Sequence, residues 1–270
     1  MTSPQLEQVA GGAAPVIHRV ARFGFAAKGI VTIMVGGLAL RYAVGWGGRL
    51  TGPQGAIQSV LGEPFGLIIL TVLALGLAGY AVWMLLAAIM DAERKGSGFR
   101  GLAERVAFLV TGVGYALLAY AAVRLLLGRG AGRGASLDDL VAAVLTPRAG
   151  RWLVGLVGGI VMTAGLLQLR LGITGGFRNS LRRDVSRGER VVVVVVGGAG
   201  YLALGILSLL VGYSLVEMAV DYDPSEAAGW DEALWLLSRL QEGRWLLGVV
   251  STGLILYGFY SVLLVRYRAL

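Results

Sequence analysis

Six stretches of this chain are long and apolar enough to cross a bilayer, and that requirement leaves little freedom for any other fold. They fall at about 23–44, 65–90, 106–127, 152–173, 191–216 and 245–265. Each holds roughly 20 residues or more, which at about 1.5 Å of rise per residue covers a hydrocarbon core of about 30 Å. Inside lipid the backbone has no water to bond with, so its polar groups must pair within the segment, as a helix does. Val191–Val196 is β-branched throughout and would suit a strand in water. Barrel strands alternate over about 10 residues, however, and none of these runs alternates. The expected fold is an all-α integral membrane protein of six transmembrane helices.

Composition agrees. The 270 residues are 56% hydrophobic and 15% charged, against about a quarter charged in a soluble domain. Mean hydropathy is +0.74. There is no cysteine and one histidine, His18, ahead of the first run. Disulfides, thiol chemistry and multi-histidine metal sites are thereby excluded, and neither a metal nor a cofactor is expected. The opening "MTSPQLEQVAGGAAPVI" has no basic segment before a short apolar one, so it does not resemble a cleaved signal peptide. Residues 1–18 read as a polar cytoplasmic tail, and 19–270 as a single membrane domain.

The net charge is +8. No solvated basic face interleaved with aromatics points to nucleic acid. The expected partners are the bilayer and its anionic headgroups, which leaves open a homo-oligomer or a protein partner. Of the 24 basic residues, 15 flank one side of the spans, among them Lys28, Lys95, Arg105, Arg170 and Arg182. The other nine, including Arg41, Arg124, Arg151 and Arg244, flank the opposite side. The richer side faces the cytoplasm. Both termini are therefore expected there, in a multi-pass protein of the inner (plasma) membrane, with external loops at about 45–63, 128–150 and 217–243.

The chain also repeats itself. "GRWLVG" (150–155) returns as "GRWLLG" (243–248), and "PFGLII" (64–69) is a weaker version. All three open even-numbered spans. The odd spans are aligned on Gly29, Gly114 and Gly200, with "ERV" preceding two of them at 104–106 and 189–191. Before each even span lies a short amphipathic stretch. Leu137, Leu140, Val141, Val144 and Leu145 follow helical spacing, as do Trp230, Ala233, Leu234 and Leu237; Ile57, Val60 and Leu61 remain in the first unit. Each is too short to span and suits a helix lying in the interface plane. The reading is three tandem two-helix units, about 19–98, 99–184 and 185–270. Two spans per unit give every unit the same orientation, so the units surround a pseudo-threefold axis along the membrane normal. Trp152 and Trp245 then belong to the external aromatic belt, Arg151 and Arg244 reach for headgroups, and Gly150 and Gly243 let the short helix turn into the span. An anion site at these helix starts is the competing reading.

Through "ARFGFAAKGIV" (21–31), "PFG" (64–66), "GLAGYAVW" (76–83) and the two "GRWL" phrases, the chain resembles the bacterial domain-of-unknown-function family 1206. That resemblance implies a six-span membrane protein of three two-helix repeats and brings no known activity. The outline also resembles mitochondrial carriers, whose repeated Pro-x-acidic-x-x-basic motif is absent here; fold alone does not carry function.

Ionisable and hydroxyl side chains inside spans are the functional candidates. Lys28 lies about one turn inside the first span, where reaching for the headgroups is the plain alternative. Glu217 lies near an external end and Gln168 near an internal one. Tyr80, Tyr115, Tyr201 and Tyr257 lie away from the span ends, and a tyrosine that deep needs a hydrogen-bond partner. Helix-to-helix bonding explains them as well as a polar cavity does. Tyr80 and Tyr257 are matched by Ala164 in the second unit, and Tyr115 and Tyr201 by Ile30 in the first. "DYDPSEAAGWDE" (221–232) matches a calcium loop weakly, with Glu226 where glycine belongs. Two functions lead: a small transporter or channel-like protein with a central polar cavity, and a non-transporting scaffold or lipid-binding subunit. A membrane enzyme is the third reading, which no nucleophile–base set or phosphate-binding loop supports.

The charge asymmetry predicts the outcome of a labelling experiment. A cysteine placed at Ser225 of this cysteine-free chain should react with an impermeant thiol reagent in intact cells, and one at Ser186 should not. The opposite pattern inverts the topology.

Overall fold

The computed structural model describes residues 4–90, 98–129, 150–176, 187–221 and 229–267. Six long helices dominate: α1 (Pro4–Ala43), α3 (Gly66–Met90), α4 (Phe99–Leu126), α5 (Gly150–Thr174), α6 (Arg187–Asp221) and α8 (Gly243–Tyr267). Two short ones, α2 (Pro53–Ser59) and α7 (Trp230–Arg239), precede α3 and α8. All six long helices contain a stretch apolar and long enough to cross a membrane, which makes this a multi-pass membrane protein. From Pro4 onward the segment read as a polar tail is helical and continuous with the first span. The amphipathic stretch at 137–145 and most of the acidic loop at 221–232 lie outside the described residues.

Glycine ends two of the odd spans in the same way. Gly45 (φ 79°) follows α1 and Gly128 (φ 68°) follows α4. In both, the next residue closes the helix with a long bond: Trp46 N–H to the Arg41 carbonyl at 3.0 Å, and Arg129 N–H to the Arg124 carbonyl at 3.0 Å. This left-handed termination needs the missing Cβ. At the far end of α3, the Arg105 guanidinium donates to the carbonyls of Ala88 (2.7 Å) and Ile89 (2.8 Å). It thus satisfies helix-end acceptors that lipid cannot.

The short helices turn their apolar faces into protein. Ile57 and Val60 are buried against α3 and α4, Ala56 lies in the same cluster as Val35 and Ala39 of α1, and Ala233, Leu234 and Leu237 are buried against α6 and α8. Gly66 and Gly243, the first residues of α3 and α8, abut the carbonyls of Val60 and Ser238. A side chain there would push the long helix off the end of the short one. Across the same end of the molecule, Gly52 N–H, at the start of α2, donates to the Asp231 carboxylate of α7 at 3.0 Å.

The most extensive contacts join α3 to α4, α5 to α6, and α8 back to α1. Each is an even span of one unit against the odd span of the next, with the last unit returning to the first. Glycine permits the approach. A Cβ on Gly29 would lie 2.7 Å from the Gly258 carbonyl oxygen and 2.9 Å from Val262. One on Gly112 would lie 2.9 Å from Leu85, and one on Gly205 2.8 Å from Leu169. Contacts inside a unit are smaller. They join α1 to α3 and α6 to α8, whereas α4 and α5 barely meet. Helix α5 is the least buried of the six spans.

Such contacts predict unequal substitutions. A Cβ on Gly212 would lie 2.7 Å from the Met162 nitrogen and 2.8 Å from the Gly158 oxygen, whereas one on Gly37 meets nothing within 4 Å. Gly212→Val should cost about 1–3 kcal/mol through overpacking, and Gly37→Ala should stay within about 0.5 kcal/mol of the parent. Thermal unfolding in detergent measures both. Equal Tm values would rule out close approach as the force holding α5 to α6.

Candidate functional site

Lys28 stands at the point where α1 meets both α3 and α8. One turn before it, Gly24 presses on the Tyr80 backbone: a Cβ there would lie 2.7 Å from the Tyr80 nitrogen. In α6, Gly200 presses on Tyr257 in the same way, at 2.6 Å from its Cα. These two approaches set the phenols on either side of the lysine. Lys28 Nζ donates to the hydroxyl oxygens of Tyr257 at 3.1 Å and Tyr80 at 3.3 Å. The ammonium also lies 5.2 Å from each of those ring centroids and 6.0 Å from the centroid of Tyr115. Tyr115 meets Tyr80 edge-on at 4.7 Å, Phe25 meets Tyr80 at 5.1 Å, and Tyr201 meets Tyr257 at 5.5 Å and Tyr260 at 5.6 Å.

Lys28 lies six residues into its span, Arg22–Ala43. Tyr115 is at the middle of its span, Glu104–Leu126. Phenols from three neighbouring helices surround the lysine inside the bundle. A cation at a helix centre costs about 2.5–3.5 kcal/mol on insertion scales. Cation–π contacts return about 0.5–2 kcal/mol each, and a hydrogen bond to a charged group about 1.5–3 kcal/mol. Among the described residues no carboxylate pairs with Lys28; its close electrostatic neighbours are the tyrosines.

The donor inventory follows. An ammonium has three N–H groups, and two face the phenol oxygens. A phenol that accepts from Lys28 still has its own O–H to donate. The cluster is thus a positively charged, donor-rich group set in an apolar bundle. Its chemistry suits an acceptor-rich or anionic ligand. It is packed rather than hollow: Tyr80 is 3% and Tyr257 7% exposed, while Lys28, Tyr115 and Tyr201 are half-buried.

Gln168 and Glu217 are not part of it. Gln168 accepts from Ser208 Oγ at 3.1 Å and ties α5 to α6. Glu217 accepts from Tyr213 Oη at 3.2 Å on an exposed face of α6. Arg151, Trp152, Arg244 and Trp245 are all exposed at the starts of α5 and α8, with the Arg151 guanidinium 5.0 Å over the Trp152 ring. Arg239 stacks over Trp235 in α7. The grooves beside Tyr42 and beside Trp245 both include Arg244, and neither reaches Lys28.

The Domain of Unknown Function (DUF1206) matches the chain three times, over residues 23–91, 106–175 and 199–268. The chain belongs to the DUF1206 family. It is also similar to the uncharacterized protein YxxB of Bacillus subtilis (strain 168), 34% identical over 252 residues that cover 92% of this chain and 90% of that one. No solved structure matches.

The DUF1206 matches start 83 and then 93 residues apart, and this corrects the alignment of the odd spans. Gly24, Ala107 and Gly200 are equivalent, as are Gly29, Gly112 and Gly205. Each of the latter three glycines meets the neighbouring unit. The register through Gly29, Gly114 and Gly200, with its "ERV" echo, does not hold. Tyr115 therefore corresponds to Thr32 and Ser208, and Tyr201 to Phe25 and Phe108. The edge-on pairs Phe25–Tyr80 and Tyr201–Tyr257 are one contact in two units. Reasoning from the sequence missed Phe25 and Tyr260. The signal for Phe25 was present, because "GF" at 24–25 matches "GY" at 200–201.

Tyr257→Phe should remove a charge-assisted hydrogen bond and lower stability by about 1.5–3 kcal/mol. Tyr213→Phe, which loses only the exposed contact with Glu217, should change it by less than about 0.5 kcal/mol. Unfolding of the two variants in one detergent checks the difference.

Proposed function

We propose that this DUF1206 protein is a small membrane transporter whose substrate site is the Lys28 cluster, with Tyr80, Tyr115 and Tyr257 around the ammonium and Tyr201 behind Tyr257. One observation carries the reading: a lysine six residues inside an apolar span bonded to two tyrosine hydroxyls, with no described carboxylate paired to it. Ionisable groups at that depth mark substrate and ion paths. A purely structural tie between helices needs no net charge, as Ser208 and Gln168 demonstrate in the same bundle.

The architecture we propose is a pseudo-threefold bundle with α2 and α7 in the interface plane. It is supported by the cyclic order of helix contacts, in which α8 returns to α1 as α3 meets α4 and α5 meets α6. The glycine contacts at 29, 112 and 205 support it too. Exposed Trp46, Trp152 and Trp245 share the end of the molecule that carries α2 and α7 and suit an aromatic belt. In this reading that end is external, both termini are cytoplasmic, and the basic loops meet anionic headgroups of the plasma membrane. The broken repetition of the cluster, with Ala164 opposite Tyr80 and Tyr257 and a single lysine, suits an asymmetric ligand.

Purified protein in liposomes, screened with small carboxylates and phosphates, tests the proposal. Lys28→Met should lower flux about ten- to a hundredfold, the equivalent of one hydrogen bond to a charged group, with Lys28→Arg retaining part of it. Undiminished flux through a folded Lys28→Met protein would remove Lys28 from the path. An absence of flux for the whole panel, with only Tm changed in Lys28→Met, would favour the lipid-binding subunit instead.

A further inference from the structure

The second unit departs from the other two at one helix contact. In the first and third, a glycine of the odd span lies on a tyrosine of the even span: Gly24 on Tyr80, Gly200 on Tyr257. The matching positions in the second unit are Ala107 and Ala164. The odd helix has gained a methyl group and the even helix has lost its phenol. The two helices concerned, α4 and α5, barely meet, and α5 is the least buried span. The wall of the bundle is therefore weakest where the third tyrosine is missing. Tyr115 of α4, 6.0 Å from the Lys28 ammonium, belongs to that unit and is half-buried.

The approach along the bundle from the end that carries α2 and α7 is blocked. Val31 is buried with Leu70, Leu73 and Ala119, and Val35 and Ala39 with Leu247 and Leu254. A water-borne solute arriving from that side meets packed aliphatic side chains. Among the described residues, what a molecule already dissolved in the bilayer meets at this wall is the thin α4–α5 contact.

We infer that the space between α4 and α5 is a lateral entrance, and that the ligand of the Lys28 cluster is an anionic amphiphile from the bilayer. Its carboxylate or phosphate head docks on the Lys28 ammonium and the phenols, and its hydrocarbon chain stays between α4 and α5. Charge complementarity selects the head: a cation with no paired carboxylate among the described residues, set among O–H donors in a low dielectric, favours an anion. The apolar composition of both helices suits the tail. This inference rests on the Lys28 cluster being the substrate site.

The test uses the full-length protein in nanodiscs of neutral lipid with a diazirine-bearing palmitate as probe. Photolabelling should fall on α4 and α5, Tyr115 included. Excess oleate should compete with it, and methyl oleate, which has the same chain without the charge, should not. Lys28→Met should weaken oleate competition at least tenfold. Ala164→Trp, or the smaller Ala164→Leu should the first not fold, should fill the entrance and abolish labelling at Tyr115. Equal competition by oleate and methyl oleate would overturn the anionic head, and full labelling of Tyr115 in a folded Ala164 variant would overturn the entrance. If benzoate or inorganic phosphate crosses liposomes in a Lys28-dependent way while the palmitate probe does not label the cluster, the lateral route is wrong and the transporter reading stands. If Lys28→Met leaves both flux and competition unchanged, both fall.

Discussion

Helices in lipid are not pushed together by the hydrophobic effect, because lipid tails are as apolar as the side chains they would replace. What holds this bundle is close backbone approach, and that depends on glycine. At Gly29 and Gly258 each backbone nears the carbonyl oxygen of the other, leaving no room for a Cβ on either side. The same device recurs at Gly36 against Ser251, Gly158 against Gly212, and Gly165 against Gly205. Dispersion and short polar contacts over such seams are the available attraction. Once α8 lies on α1 and α5 on α6 in these registers, the side chains between them have fixed neighbours.

The Lys28 cluster is a consequence of those seams. Gly24 and Gly200 let α3 and α8 come within backbone distance of α1 and α6, and the residues they touch are Tyr80 and Tyr257. Two phenols are thereby brought to one ammonium from opposite sides. A bulkier residue at either glycine would separate a phenol from the lysine without altering any polar group. The charge is tolerated inside an apolar span because its hydrogen bonds and ring contacts are comparable in size to the insertion cost.

Repetition built the frame, and its lapses individualise the site. Short helices, helix ends and glycine contacts recur from unit to unit: Ala56, Ile57 and Val60 bury as Ala233, Leu234 and Leu237 do, and Gly45 ends α1 as Gly128 ends α4. The polar positions do not recur. Lys28 corresponds to Thr111 and Leu204, and Ala164 stands where the other units have tyrosine. The second unit, whose described helices α4 and α5 meet least, lacks the glycine–tyrosine pair that closes the other two.

Six spans, two short amphipathic helices of the described units, and a set of deep hydroxyls and one lysine were all legible in the chain, because hydropathy and periodicity are local properties that lipid enforces residue by residue. The even spans were aligned correctly, since "GRW" marks a chain turn that every unit must make. The odd spans were not. Their glycines are so numerous that several registers look alike, and only contact with a neighbouring helix tells Gly112 from Gly114. For the same reason Gln168 and Glu217 looked equivalent to the tyrosines as candidates. Which face of a helix turns inward depends on its crossing partner, and the apolar faces here are too uniform for the sequence to reveal it. That Lys28 meets Tyr80 and Tyr257, 52 and 229 residues away, was decided by tertiary packing alone: no local pattern encodes the approach of α3 and α8 to opposite sides of α1.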